Sequence, residues 1–249
     1  MTANHLGCRK PAARYGAIAS AVVVSFLFAM SLARADCNAE HVVVLGTSKE
    51  RASVCRALSE VRDYFAQGGI KLEFEFTVHF QNQVEITAND LFTHTAEHWP
   101  VSGYYRAATK DLYMTRAEAP WTSERTPWHL PWDGEMEFSI LEHEVIHAAI
   151  AQIMGDKYRK LSHAWHEALA YAIEISLMKP ELRAKVLANF PSAQAFDSTV
   201  QINGIIYGFD PDSFAVAAYK TYMKYGEFEF VRRAISFKLE MADPRVDPP

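Results

Sequence analysis

The chain has 249 residues and a formal net charge of −5, and once an N-terminal segment carrying Arg9, Lys10, Arg14 and Arg34 is set aside the balance falls to −9. So acidic a chain excludes nucleic acid as its partner, because a phosphate backbone is bound through clustered Lys and Arg. The remainder of the chain is long enough for one domain with a full core.

Residues 1–35 read as an export signal. Arg9, Lys10 and Arg14 form a basic start, residues 16–32 are an uncharged apolar run, and Ala33-Arg34-Ala35 is an A-x-A site that predicts cleavage after Ala35. The expected location is secreted or periplasmic. The alternative is an uncleaved membrane anchor, since the run is near the minimum length of a span, and membrane contact is expected only in that case. Export makes Cys37 and Cys55 a predicted disulfide, Cys8 leaving with the signal. One domain is expected over residues 36–242, followed by a disordered tail at 243–249.

In chain order, residues 41–47 are a β-branched run ended by Gly46, a buried strand. Ser48 is placed to cap a helix to about Ala66, with Val54, Leu58, Val61 and Phe65 on one stripe and Gly68-Gly69 stopping it. Leu72, Phe74, Phe76, Val78 and Phe80 alternate with polar residues, a half-buried strand with His79 on its wet face. Residues 81–103 have no clear period. Residues 104–107 and 111–115 read as a hairpin, and a loop with Pro120-Trp121, Pro127-Trp128 and Pro131-Trp132 comes next, either the rim of a cleft or a lid over the core.

A buried helix is predicted over residues 135–154, ended by Gly155, and a second over 161–178, ended by Pro180. Beyond lie a short helix at 180–190, a loop with a brief strand at Ile205-Ile206, and closing helices at 213–225 and 227–239. The first of the central helices carries His143-Glu144-Val145-Ile146-His147. An H-E-x-x-H pattern puts two imidazoles on one helical face, where a zinc ion is bound between them. Polar groups on a buried helix are costly unless paired or bound to metal. Glu167, on the next helix, supplies the carboxylate that a three-ligand catalytic zinc site requires, with His163 and His166 as alternative third ligands. Glu144 is then the general base, and His163, Tyr171, Tyr207 and Tyr219 are candidates to donate to an oxyanion or touch substrate.

His143-Glu144-x-x-His147 with Glu167 twenty residues after the second histidine resembles the gluzincin zinc metallopeptidases. Trp165-His166-Glu167-Ala168-Leu169-Ala170-Tyr171 is similar to the W-x-x-E-G-L-A-x-Y stretch of small peptidase domains of that group, with one residue fewer between Trp and Glu, Ala168 for Gly, and Tyr171 one place early. The resemblance covers residues 100–178, more loosely to Gly226. It implies an α+β, zincin-like fold: a small mixed sheet with an antiparallel hairpin, a central motif helix and C-terminal helices. It also implies a peptide or protein substrate laid along an edge strand, taken here as the one with Leu112, Tyr113 and Met114. In the thermolysin-like members an aspartate one turn after the glutamate ligand holds the first histidine. Tyr171 stands there in this chain, and Glu174 is the substitute partner. With Ile150 and Ile153 after His147, a metzincin site is excluded. The expected activity is zinc-dependent peptide hydrolysis. The alternative is a zinc-binding module of the same fold without turnover, acting at an envelope or surface.

Overall fold

The computed structural model describes residues 41–89, 96–119 and 126–241, all within one compact unit, Leu32–Pro249. The export signal, its cleavage site, Cys37, Pro120-Trp121 and the tail at 243–249 lie outside the described residues. Cys55 is disulfide-bonded. Among the described residues no helix is long and apolar enough to cross a membrane.

The fold is α+β. A strand β1 (His41–Leu45) leads through helix α1 (Ser48–Gln67) to β2 (Glu75–Gln81), which pairs with β1 in parallel. This is the β-α-β opening that the alternating pattern predicts. Thr47 is the N-cap of α1, and Ser48 is the first helical residue. Thr47 wins because Glu50 then stands at the third helical position and closes a capping box, so two free backbone N–H groups are satisfied reciprocally.

The unassigned stretch after β2 forms a separate antiparallel pair, β3 (Val84–Asn89) with β4 (Ala96–Val101). The predicted hairpin comes next as β5 (Gly103–Arg106) and β6 (Asp111–Thr115), and β6 also pairs in parallel with β2. The main sheet therefore runs β1-β2-β6-β5. One consequence corrects an expectation: Leu112, Tyr113 and Met114 lie on an interior strand, not an edge. Both neighbours of β6 are occupied, and among the described residues the edge on that side is β5. The inner face of the sheet buries Phe76, Val78, Phe80, Leu112 and Met114. The outer face keeps His79 half-buried against Asp111, 2.9 Å away, and stacked on Tyr113.

Helix α2 (Gly134–Met154) packs on the inner face, capped by Asp133, whose side chain accepts from the Glu135 and Met136 N–H groups. It ends at Gly155, whose φ of 52° would strain a residue with a side chain. A 3-10 segment, Gly155–Lys160, leads to α3 (His163–Leu177), capped by Ser162. Then come α4 (Pro180–Asn189), α5 (Gly204–Phe209), α6 (Pro211–Lys224) and α7 (Phe228–Ile235). Ile205-Ile206 is helical, not a strand, because Asn203 caps both N–H groups and starts a turn there. Helix α3 is sandwiched between α2 and α6, with Trp165 stacked on Phe230 behind it.

The loop at 190–198 is tied to α6 by Lys220 and Lys224, which donate to the Ala193 and Phe196 carbonyls, and by one buried side chain. Thr221, fully buried, accepts from the Phe196 N–H at 2.8 Å and donates to the Ala217 carbonyl at 2.8 Å. Thr221→Val keeps the volume but strands a buried N–H, so we expect a loss of about 1–3 kcal/mol, and Thr221→Ser a smaller loss. Urea unfolding checks this, and equal midpoints for Val and wild type would show the bond contributes nothing.

Candidate metal centre

Helical geometry brings His143 and His147 to one face of α2, turned toward α3, and α3 offers Glu167 back. The two Nε2 atoms are 3.0 Å apart, and each lies 3.4 Å from an oxygen of Glu167. These three residues are the one group among the described residues whose ligand atoms converge in this way, all within 4.8 Å of one another. A tetrahedral ion with bonds of 2.0–2.1 Å would separate its ligand atoms by about 3.3–3.4 Å. The contacts to the two oxygens of Glu167 match that span and the Nε2–Nε2 distance is somewhat shorter, so the three side chains are placed to hold a metal ion, and two imidazoles with one carboxylate are a donor set that catalytic zinc sites use. His163 does not compete with Glu167 as third ligand: its side chain is 66% exposed, and its Nδ1 stands 3.7 Å from the Glu167 carboxylate. His166 turns away onto the ring of Tyr158, 4.0 Å between centroids.

Behind the ligands stands a buried relay. His143 Nδ1 meets Glu174 Oε2 at 3.0 Å, and the other oxygen of Glu174 accepts from the Ser139 hydroxyl at 2.7 Å. Glu174 is fully buried two turns after Glu167, the substitute partner that the α3 sequence suggests. Tyr171, in the place of the aspartate, packs its ring 4.5 Å from that of His143. The Nδ1 of His147 is buried with no hydrogen-bond partner among the described residues. Burial alone would make His143 less basic, but Glu167 and Glu174 outweigh it and hold it well above the usual imidazole range. Burial would raise Glu167, and the two histidines overcome that and hold it well below the carboxylate range. Metal and proton therefore compete for the same imidazole lone pair.

Glu144 lies one residue round the helix from His143, about 100° away, and so points at the sheet instead of α3. It packs against Gly103 on the edge strand: a Cβ there would stand 2.8 Å from Glu144 Cγ and 3.0 Å from its Oε1. The Tyr105 N–H donates to its carboxylate, but burial, the largest influence, still raises Glu144 above the usual range. Gly103 is thus a site residue the sequence does not single out, and nothing in its neighbourhood signals a close approach.

A cleft of about 460 Å³ opens over the three ligands and Glu144, walled by β5, by Pro100 and Val101 of β4, and by Tyr158, Tyr171 and Tyr207. Tyr171 and Tyr207 are joined by a hydrogen bond. Burial, chiefly, pushes both phenols up, and Tyr158 likewise, so all three remain protonated donors. His163 stands at the rim with its ring 5.2 Å from that of Tyr207. Tyr219 does not join them. It is buried in α6 and stacked on Tyr222, away from the cleft, because α6 turns that face to the core. Tyr158 carries no sequence signal, since it sits in the 3-10 link and belongs to no periodic pattern. Trp128 is buried and forms cleft wall, whereas Trp132 packs on the core and donates to the Arg116 carbonyl at 3.0 Å.

If the relay orients His143, Glu174→Gln, which retains shape but not charge, is expected to weaken zinc binding about 10- to 100-fold. Competition with a chromogenic chelator measures it; unchanged affinity would show that Glu174 is only a packing group.

No curated protein and no solved structure matches the chain. Residues 42–238, from β1 to just beyond α7 and so including the whole convergent site, match the family described as "Family of unknown function (DUF6639)", and the chain belongs to that family.

Proposed function

We propose that the chain is an exported zinc-dependent metallopeptidase. The observation that carries this reading is the pairing of a three-atom donor set at zinc spacing with an acid, Glu144, that takes no part in it and faces the same cleft. A purely structural metal site is closed by a fourth protein ligand and has no use for a spare buried carboxylate. When bound by His143, His147 and Glu167, zinc supplies Lewis acidity, polarising a carbonyl and acidifying water.

The chain's own groups supply the rest. Glu144, raised by burial and fixed by the Tyr105 N–H, takes a proton from water as the oxygen attacks the peptide carbonyl, and passes it to the departing amine. The C–N bond breaks, and the products are a carboxylic acid and an amine. Tyr158, Tyr171 and Tyr207, held protonated, are the donors available to the negative charge that develops on the carbonyl oxygen. Among the described residues no strand pairs with the outer edge of β5, which, apart from the Tyr105 N–H held by Glu144, is open to the backbone of an extended peptide, and its Gly103 leaves the room in which Glu144 stands.

Two measurements test this. Zinc analysis of the purified protein is expected to give one ion per chain, and Glu144→Gln is expected to retain it while turnover of a diverse peptide library falls about 10²- to 10⁴-fold. Equal cleavage by both proteins, or by neither, would sink the mechanism. Gly103→Ala is expected to push Glu144 aside and lower kcat about 10- to 100-fold with zinc content unchanged. An alanine variant with full activity would show that the contact does not position the base.

A further inference from the structure

A second cavity, of about 250 Å³, shares no lining residue with the cleft over the candidate ligands. It lies between α1, the first half of α2 and the turn from α3 to α4. Glu135, Phe138, Ser139 and Glu142 line it at the i, i+3, i+4 and i+7 spacing that one face of a helix presents. Leu177 and Leu182 add apolar wall from α3 and α4. Sites for drug-sized molecules run to roughly 300–1,000 Å³, so an occupant here is smaller than those.

The other charged and hydroxyl side chains of this wall are already engaged. Ser139 donates to Glu174 at 2.7 Å, Lys179 pairs with Glu135 at 2.8 Å, and Arg56 pairs with Glu60 at 3.4 Å while lying over the ring of Phe138, 3.3 Å from its centroid. Glu142 is the exception. It is 1% exposed, and its Oε1 is buried with no hydrogen-bond partner among the described residues. Burial, and after it the carboxyl of Glu60, raise Glu142 to about 9, as expected of an acid that lacks a base of its own. Three acids of the wall thus stand against two bases, and both bases are taken. A buried acid left over in this way is costly, and a positive charge beside it relieves the cost.

These features select the ligand. An anion would face the carboxyls of Glu60 and Glu142, and a bare metal ion would find no three converging ligand atoms there among the described residues. A group that is positively charged, donates hydrogen bonds and carries an apolar body meets every condition: its charge faces Glu142 and its body lies against Phe138, Leu177 and Leu182. We infer that this cavity is a binding site for a small organic cation, a primary ammonium on a compact apolar body, with Glu142 as its principal acceptor. The site is separate from the cleft and does not depend on the reading of the cleft as a peptidase site.

The test uses the full chain as purified and three probes built on one ring: benzylammonium, benzyl alcohol and benzoate. Titration calorimetry is expected to show benzylammonium binding saturably and about tenfold or more tighter than benzyl alcohol, the margin of a hydrogen bond to a charged group, with no saturation by benzoate. Glu142→Gln keeps the shape and removes the charge, and is expected to bring the cation down to the level of the alcohol. Leu177 is only partly buried, so Leu177→Trp is expected to fill the cavity and abolish binding of both probes while thermal melting shows the chain still folded. This second variant decides the matter if Glu142→Gln does not fold. Absence of saturable binding by the cation, or equal affinity for cation and alcohol, overturns the inference. So does full-strength binding of the cation by either variant in its folded form, which would put the cation elsewhere, the acidic cleft included.

Discussion

The interior around α2 carries an unusual amount of charge. His143, Glu144, His147, Glu167 and Glu174 are each at most 9% exposed, within a layer otherwise made of Leu141, Val145, Ile146, Ala168, Leu169 and Ile173. Ionised groups in such surroundings are expensive unless each has a partner, and here most have one: Glu174 takes His143 and Ser139, and Glu167 lies against both imidazoles. The rest of the architecture serves to hold that set together. Trp165 and Phe230 back α3, the inner sheet face backs α2, and α6 closes the far side. Replacing one member leaves a charge buried without compensation, so the site and the core are one structure.

The candidate ligand set is legible in the sequence because it is local. Two histidines four apart share a helical face in any α-helix, and a carboxylate on the next helix needs only a short link to return, which Gly155 and the 3-10 turn provide. Glu174 is legible for the same reason, lying two turns beyond Glu167 on the same helix. The strand order is not. Residues 104–107 and 111–115 read correctly as a hairpin, but which of the two strands meets β2 depends on packing between distant segments, so the sequence points to β6 as the edge where the fold has β5. β3 alternates Val84, Ile86 and Ala88 with Glu85, Thr87 and Asn89, but its partner β4 does not alternate and carries Pro100, so nothing local in the sequence pairs the two, and they pair with each other and not within the core sheet.

Propensity misleads in one further place. Ile205-Ile206 are β-branched and suggest a strand, yet the Asn203 side chain accepts from both N–H groups and local capping prevails over intrinsic preference. Residues that act by being small or by lying in a link carry no signal at all. Gly103 matters because Glu144 lies where its Cβ would be, and Tyr158 matters because its turn carries it to the cleft wall. Both facts belong to the tertiary arrangement.

The division of labour on α2 explains why one helix is enough to organise the site. Successive residues on a helix are about 100° apart, so His143 and His147 face the seam with α3 while Glu144 faces the seam with β5. The candidate ligands then depend on helix–helix packing and the proposed base on helix–sheet packing, two contacts with separate sets of residues. A shift of α3 would disturb the donor set and leave Glu144 in place. A shift of β5 would do the opposite. Only movement of α2 would disturb both, and α2 is the most enclosed element of the chain, with a core layer on each side and caps at each end. The relative position of the proposed base and the two histidines is therefore carried by the backbone of a single buried helix, the stiffest connection the fold has to offer.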